Sequence, residues 1–137
     1  MLAELKCVHG ELRSAIAELA DLLARAEPDG DALPAVRLRI ARASRRQRSL
    51  IESGVFPRLH DVSPADARSI SDLSLETATQ SIRYSEHIGR WTRTAVCTDW
   101  VGYQRASRDL AREMLRLAER EGTILYPLLQ SKTHQTA

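Results

Sequence analysis

The sequence predicts an all-α fold, and within that class a single up-down-up-down four-helix bundle. Apolar residues recur at spacings of three and four in four separate segments, which is the period of an α-helix. Aromatic residues make up only 4% of the 137 residues, so the core is expected to be aliphatic, which favours helices over a β-sandwich. Two strings, Phe56-Pro57-Arg58-Leu59 and Tyr126-Pro127-Leu128-Leu129, each end a long amphipathic segment. We therefore predict two helical hairpins built on one plan.

The first hairpin is predicted to contain helices over residues 2–27 and 33–54. The segment Pro28-Asp29-Gly30-Asp31 ends the first helix, because proline and glycine interrupt helical periodicity. The inward positions of the first helix are Leu2, Leu5, His9, Leu12, Ile16, Leu19 and Leu23. Those of the second helix are Val36, Ile40, Ala43, Gln47, Ile51 and Gly54.

The second hairpin is predicted to contain helices over residues 64–91 and 100–129. Ser63 before Pro64 is a typical helix start, and Asp99 is expected to cap the last helix. The inward positions of the third helix are Ile70, Leu73, Thr77, Gln80, Tyr84, His87 and Trp91. Those of the fourth are Leu110, Met114, Leu117, Glu121, Ile124 and Leu128. Residues 1–129 then form one domain, and residues 130–137 are expected to be a flexible polar tail.

Composition narrows the setting in which the protein works. No apolar run approaches the length of about 20 residues that crosses a membrane, and the segment from Met1 to Lys6 does not resemble a signal peptide. We therefore expect a cytoplasmic protein without a membrane partner. Cys7 and Cys97 fall at opposite ends of the predicted bundle, so both are expected to be free thiols.

Polar residues interrupt the inward stripe of every predicted helix. They are His9, Gln47, Thr77, Gln80 and Glu121, and counting from the predicted loops places them at similar depth. A buried polar group without a partner costs about 1–3 kcal/mol, so these side chains are expected to meet in one hydrogen-bonded network. The network is predicted to contain His9, Gln47, Gln80 and Glu121.

The residues around these positions resemble the hemerythrin-like (HHE) four-helix bundles. In that family the first helix carries a histidine in a setting like His9-Gly10-Glu11-Leu12-Arg13 of this chain. Its second and fourth helices each carry a histidine ten residues, and a glutamate six residues, before the proline of an aromatic-Pro-x-Leu string. The corresponding positions here are Gln47 and Ile51 before Pro57, and Leu117 and Glu121 before Pro127.

The resemblance implies a hemerythrin-like fold whose metal-ligand set is degenerate. His9 and Glu121 are the family ligands that remain, and they are the candidate metal residues. Leucine and isoleucine offer no lone pair to iron, so a complete di-iron site is not expected. The favoured interpretation of His9 and Glu121 is a buried hydrogen-bonded pair bridged by Gln47 and water; a mononuclear metal site or a small-ligand pocket is the alternative.

The predicted function is a non-enzymatic regulatory or protein-binding module without a cofactor. The alternative is a non-haem iron protein that binds or senses oxygen or nitric oxide through a reduced ligand set around His9 and Glu121. The expected partner is another protein, and a second copy of this chain is one candidate. Nucleic acid is disfavoured as a partner because the net charge is only +2.

Two surfaces are candidates for that partner. Trp91, Trp100 and Tyr103 cluster around the third interhelical loop and either seal one end of the bundle or form a docking or dimerisation surface. The second helix carries six arginines without an intervening acid, among them Arg42, Arg45 and Arg46. They form either a docking face or a solvated face paired with neighbouring helices.

Overall fold

The computed structural model describes residues 1–136, with side chains described for residues 1–132, and this part of the chain is helical without strands. Helix α1 spans Leu2–Leu23 and helix α2 spans Ala32–Leu50, followed by a π-helical turn over Ile51–Val55 and a 3₁₀ turn over Phe56–Arg58. Helix α3 spans Pro64–Arg90, a short helix α4 spans Arg93–Thr98, and helix α5 spans Trp100–Thr136. The predicted all-α class is confirmed.

The two predicted N-caps are confirmed. The Ser63 hydroxyl accepts a hydrogen bond of 3.1 Å from the backbone N–H of Asp66 at the start of α3. The Asp99 carboxylate accepts one of 2.9 Å from the N–H of Gly102 at the start of α5. Each cap gives a partner to an N–H group that lacks one inside its own helix, which fixes where the helix begins.

Helix α1 ends at Leu23, four residues before the predicted end at residue 27. Side chains of α5 take the carbonyl groups that a longer helix would have used. Gln104 donates a 2.7 Å hydrogen bond to the Leu23 carbonyl, and the Trp100 indole donates one of 3.0 Å to the Arg25 carbonyl. These tertiary hydrogen bonds give donors to carbonyl groups at the end of α1 that a further helical turn would otherwise have satisfied.

The helix ends at the first aromatic-Pro-x-Leu string but continues through the second. The prediction that both strings close a helix is therefore wrong for the second. Pro57 stands where α2 loosens into the π and 3₁₀ turns, whereas Pro127 lies inside α5, which continues to Thr136. A proline inside a helix removes one backbone hydrogen bond. Leu125 and Leu129, on either side of Pro127, are both buried, and their packing keeps this stretch helical. Residues 130–136, predicted as a flexible tail, lie in the continuation of this helix, while Ala137 lies outside the described residues.

Helix α4 lies in the third interhelical loop, between the helices predicted over residues 64–91 and 100–129. Thr92 caps it by accepting a hydrogen bond of 3.3 Å from the N–H of Ala95. Cys97 lies in this short helix, and both it and Cys7 are free and exposed, which confirms the predicted thiols. None of the described helices combines the length and the apolar character needed to cross a membrane.

The long helices pack in a defined order around two apolar clusters. Helix α1 lies against α2 and α5, and α3 lies against α5. One cluster surrounds Leu12, Ile40 and Tyr103, and the other surrounds Leu5 and Leu125. Along each long helix the polar interruption falls next to the boundary between the clusters, so the interior contains a polar layer. Buried members of this layer are His9, Gln47, Thr77 and Glu121.

Candidate functional site

A hydrogen-bonded chain of four side chains fills the polar layer. His9 and Glu121 are both fully buried, and the Nε2 atom of His9 lies 3.1 Å from Oε1 of Glu121. The Gln47 amide donates a second hydrogen bond to the same oxygen. On the other side of the imidazole, Nδ1 of His9 pairs with the Tyr126 hydroxyl. Every polar atom of the His9 ring therefore has a protein partner.

The position of the proton on the His9 ring can be assigned from the chemistry of its two hydrogen-bond partners, Glu121 and Tyr126. A carboxylate accepts and does not donate, so the proton of the Glu121 contact is on Nε2 of His9. Loss of water raises the pKa of the Tyr126 phenol above its usual value, against the opposing effect of Arg13, so this hydroxyl keeps its proton. In a neutral imidazole the other ring nitrogen, Nδ1, is then the acceptor for the Tyr126 hydroxyl, and this pair of contacts selects one tautomer.

One atom of the site is left without a partner. Oε2 of Glu121 is buried and makes no hydrogen bond to any described residue. The Ser44 hydroxyl, on α2, is buried and unpartnered in the same way. A buried carboxylate oxygen without a donor is costly, so a donor outside the described side chains, such as a water or a ligand, is expected to meet this atom.

The structure does not bring all the predicted site residues together. Gln80 is only partly buried and makes no hydrogen bond to the other three, among the residues whose side chains are described. It lines a cleft beside them instead. Tyr126 takes the fourth place in the chain, although the sequence suggested it only as the aromatic residue before Pro127. A spacing of five residues does not place Tyr126 on the same helix face as Glu121, so the helical period contained no signal for its role.

The donor set does not fit a di-iron centre of the family type. Ile51 and Leu117 are buried at two of the positions that the hemerythrin-like resemblance assigns to ligands, and Gln47, at a third such position, is already bonded to Glu121. On α3, the hydroxyl of Thr77 donates to the Leu73 carbonyl at 2.8 Å. Among the described residues, no three His, Cys, Asp or Glu side chains are grouped as a metal centre would need.

The aromatic residues at the other end of the molecule point inward. Tyr103 is 1% exposed and Trp91 is 7% exposed. Trp91 meets Tyr103 edge-on with ring centroids 5.7 Å apart, while Trp100 and His87 stack on it at 5.7 and 5.8 Å. The rings of Trp91 and Tyr103 are thus unavailable to a partner as the structure stands, and of the predicted docking cluster Trp100 is the least buried.

His87 belongs to this packed end. Burial, with a smaller contribution from the nearby positive charge of Arg37, lowers the pKa of its imidazole to about 4. The ring is therefore neutral near pH 7 and packs on Tyr103 as an uncharged surface.

The arginines of α2 divide into paired and unpaired side chains. Nη1 of Arg46 lies 2.5 Å from Oε2 of Glu11, which is on α1. Arg39 forms an ion pair with Glu18, which is also on α1. Arg42 and Arg45 are exposed and have no hydrogen bond or ion pair to any residue in the described part of the chain. The predicted basic face is thus reduced to these two side chains.

Comparison with protein-family models, with curated proteins and with solved structures finds no match for this chain. The hemerythrin-like resemblance thus stays a prediction drawn from the residues.

Proposed function

We propose that the protein is a hemerythrin-like up-down-up-down four-helix bundle that uses its metal position for a hydrogen-bonded side-chain network. On this proposal it is a non-enzymatic regulatory or protein-binding module that needs no cofactor. The observation that supports it best is the engagement of both His9 ring nitrogens by Tyr126 and Glu121. A histidine in this state has no lone pair to offer a metal, because a ligating nitrogen must be unprotonated and free.

The protein-binding part of the proposal rests on the outer face of α3. Leu75 and Ile82 are 67% and 61% exposed, and a spacing of seven residues puts them on the same side of a helix. Exposed large apolar side chains that share a face are typical of interaction surfaces. The partner is a protein, and a second copy of this chain is one candidate.

A second candidate function is supported by the unpartnered oxygen of Glu121. A non-haem iron that binds or senses oxygen or nitric oxide could take Oε2 as a ligand, with His9 as another. This would require His9 to give up either Tyr126 or Glu121.

Metal analysis separates the two candidates. The protein is produced in iron-supplemented medium, and its iron content and optical spectrum are measured before and after dialysis against a chelator. Our proposal predicts substoichiometric iron, no charge-transfer band and the same helical content and melting temperature after dialysis. About one or two irons per chain, with a melting temperature that falls on chelation, would establish the iron-binding candidate instead.

A further inference from the structure

Helices α2 and α3 are separated by a cleft with a volume of about 360 Å³. Its floor contains Gln47, Thr77 and Glu121, which belong to the polar layer, next to the apolar side chains of Met114 and Leu117. The volume is far greater than the share of about 30 Å³ that one water takes in the liquid, and it falls in the size range of small-ligand sites.

Two buried polar atoms of the residues that line the cleft have no hydrogen-bond partner among the described residues. They are Oε2 of Glu121 and the hydroxyl of Ser44. The other oxygen of Glu121 is fully used by His9 and Gln47. A ligand that carries an N–H group would satisfy Oε2 directly, and a charged ammonium would do so more strongly than a neutral group.

The outer end of the cleft is positive. Arg45 and Arg48 of α2 lie on its rim, and Glu121 is the one acidic residue that lines it. Arg48 reaches across to donate to the Ser81 hydroxyl of α3, whereas Arg45 has no ion-pair partner within the described residues. A guanidinium without a partner recognises carboxylate and phosphate groups.

We propose that this cleft binds a small zwitterion of the amino-acid class, with its ammonium on Oε2 of Glu121 and its carboxylate on Arg45. The negative floor and the positive rim lie in the order that such a molecule requires, and the Ser44 hydroxyl gives a second polar contact. The ligand would contact residues of both α2 and α3. This inference rests on the proposed function in one respect, which is that Oε2 of Glu121 is free of metal.

The binding test uses the full chain in the presence of a chelator, with defined probes. The probes are amino acids that carry the two charges at opposite ends, from glycine to aminohexanoate, each compared with the alkylamine and the carboxylic acid of the same length. Two-dimensional amide NMR spectra are recorded up to about 10 mM of each probe. We expect saturable shifts of α2 and α3 resonances with one best chain length, and at least tenfold weaker binding of both single-charge controls.

Variants locate the site. Arg45→Gln and Ser44→Ala change a rim residue and an unpaired hydroxyl, so both are expected to fold normally; the first should weaken binding about tenfold. Glu121→Gln keeps an acceptor for His9 and Gln47 but loses Oε2, and it should abolish saturable binding. The matched control is Arg39→Gln, because Arg39 lies on α2, pairs with Glu18 and does not line the cleft.

Three results would overturn the inference. They are the absence of saturable shifts with every probe, equal binding of an amine and its zwitterion, and equal effects of Arg39→Gln and Arg45→Gln. Because all samples contain chelator, these results concern the cleft alone, whereas iron in the purified protein would overturn the proposed function.

Discussion

Replacement of Glu121 by leucine is expected to lower the free energy of unfolding by about 2–4 kcal/mol. The carboxylate is fully buried and accepts hydrogen bonds from both His9 and Gln47. Leucine would leave these two donors buried without an acceptor, and this cost exceeds the gain from added apolar surface. Urea unfolding of the natural protein and the variant measures the difference in their free energies of unfolding. The comparison requires that this free energy has the same dependence on urea concentration in both proteins.

Two further variants distinguish a hydrogen-bond effect from a packing effect. Glu121→Gln keeps an acceptor for His9 and Gln47, so it should cost less than Glu121→Leu. The triple variant His9→Leu, Gln47→Leu, Glu121→Leu removes donors and acceptor together and should recover much of the loss, since apolar replacement of a whole buried polar group is often neutral. A neutral or stabilising Glu121→Leu would mean that the carboxylate is vestigial.

Replacement of Tyr103 by alanine is expected to be the most destabilising single change, at about 3–5 kcal/mol. Tyr103 is the largest fully buried side chain of the described residues, and three other rings pack on it. Alanine leaves a cavity among side chains that are fixed by their own hydrogen bonds, such as that of Trp100 to the Arg25 carbonyl. The site therefore cannot collapse to fill the space.

The matched control is Tyr103→Phe, which keeps the ring and removes only the hydroxyl. It should cost less than about 1 kcal/mol, because no described residue is hydrogen-bonded to that hydroxyl. Equal stability of Tyr103→Ala and the natural protein would contradict the burial of this ring and would favour a docking role.

The helical period predicted the inner face of the long helices because burial there follows from spacing alone. His9, Gln47, Thr77 and Glu121 were assigned to the interior from their positions in apolar stripes, and each is buried. Gln80 belongs to the same stripe of α3 but faces the cleft, since the distance between α2 and α3 decides which stripe positions are covered. Sequence periodicity contains no information on that distance.

The ends of the elements were harder to predict, because tertiary contacts decide them. Pro127 predicts the end of a helix, yet α5 continues through it, because Leu125 and Leu129 on either side are both packed in the core. Helix α4 has only six residues, too few for a periodic pattern, and Thr92 was its one signal. The role of Tyr126 depends on a contact between α1 and α5, which lie 117 residues apart at this point of the chain.

The ring nitrogens of His9 give the most direct measurement of whether hydrogen bonds have replaced the metal. Long-range proton–nitrogen NMR spectra of histidine-labelled protein should show a single tautomer with the proton on Nε2, and neither nitrogen should shift on addition of one equivalent of Zn²⁺. The exposed His60 serves as an internal reference. A shift of either His9 nitrogen with Zn²⁺ that a chelator reverses would contradict the replacement and would show that the site still binds metal.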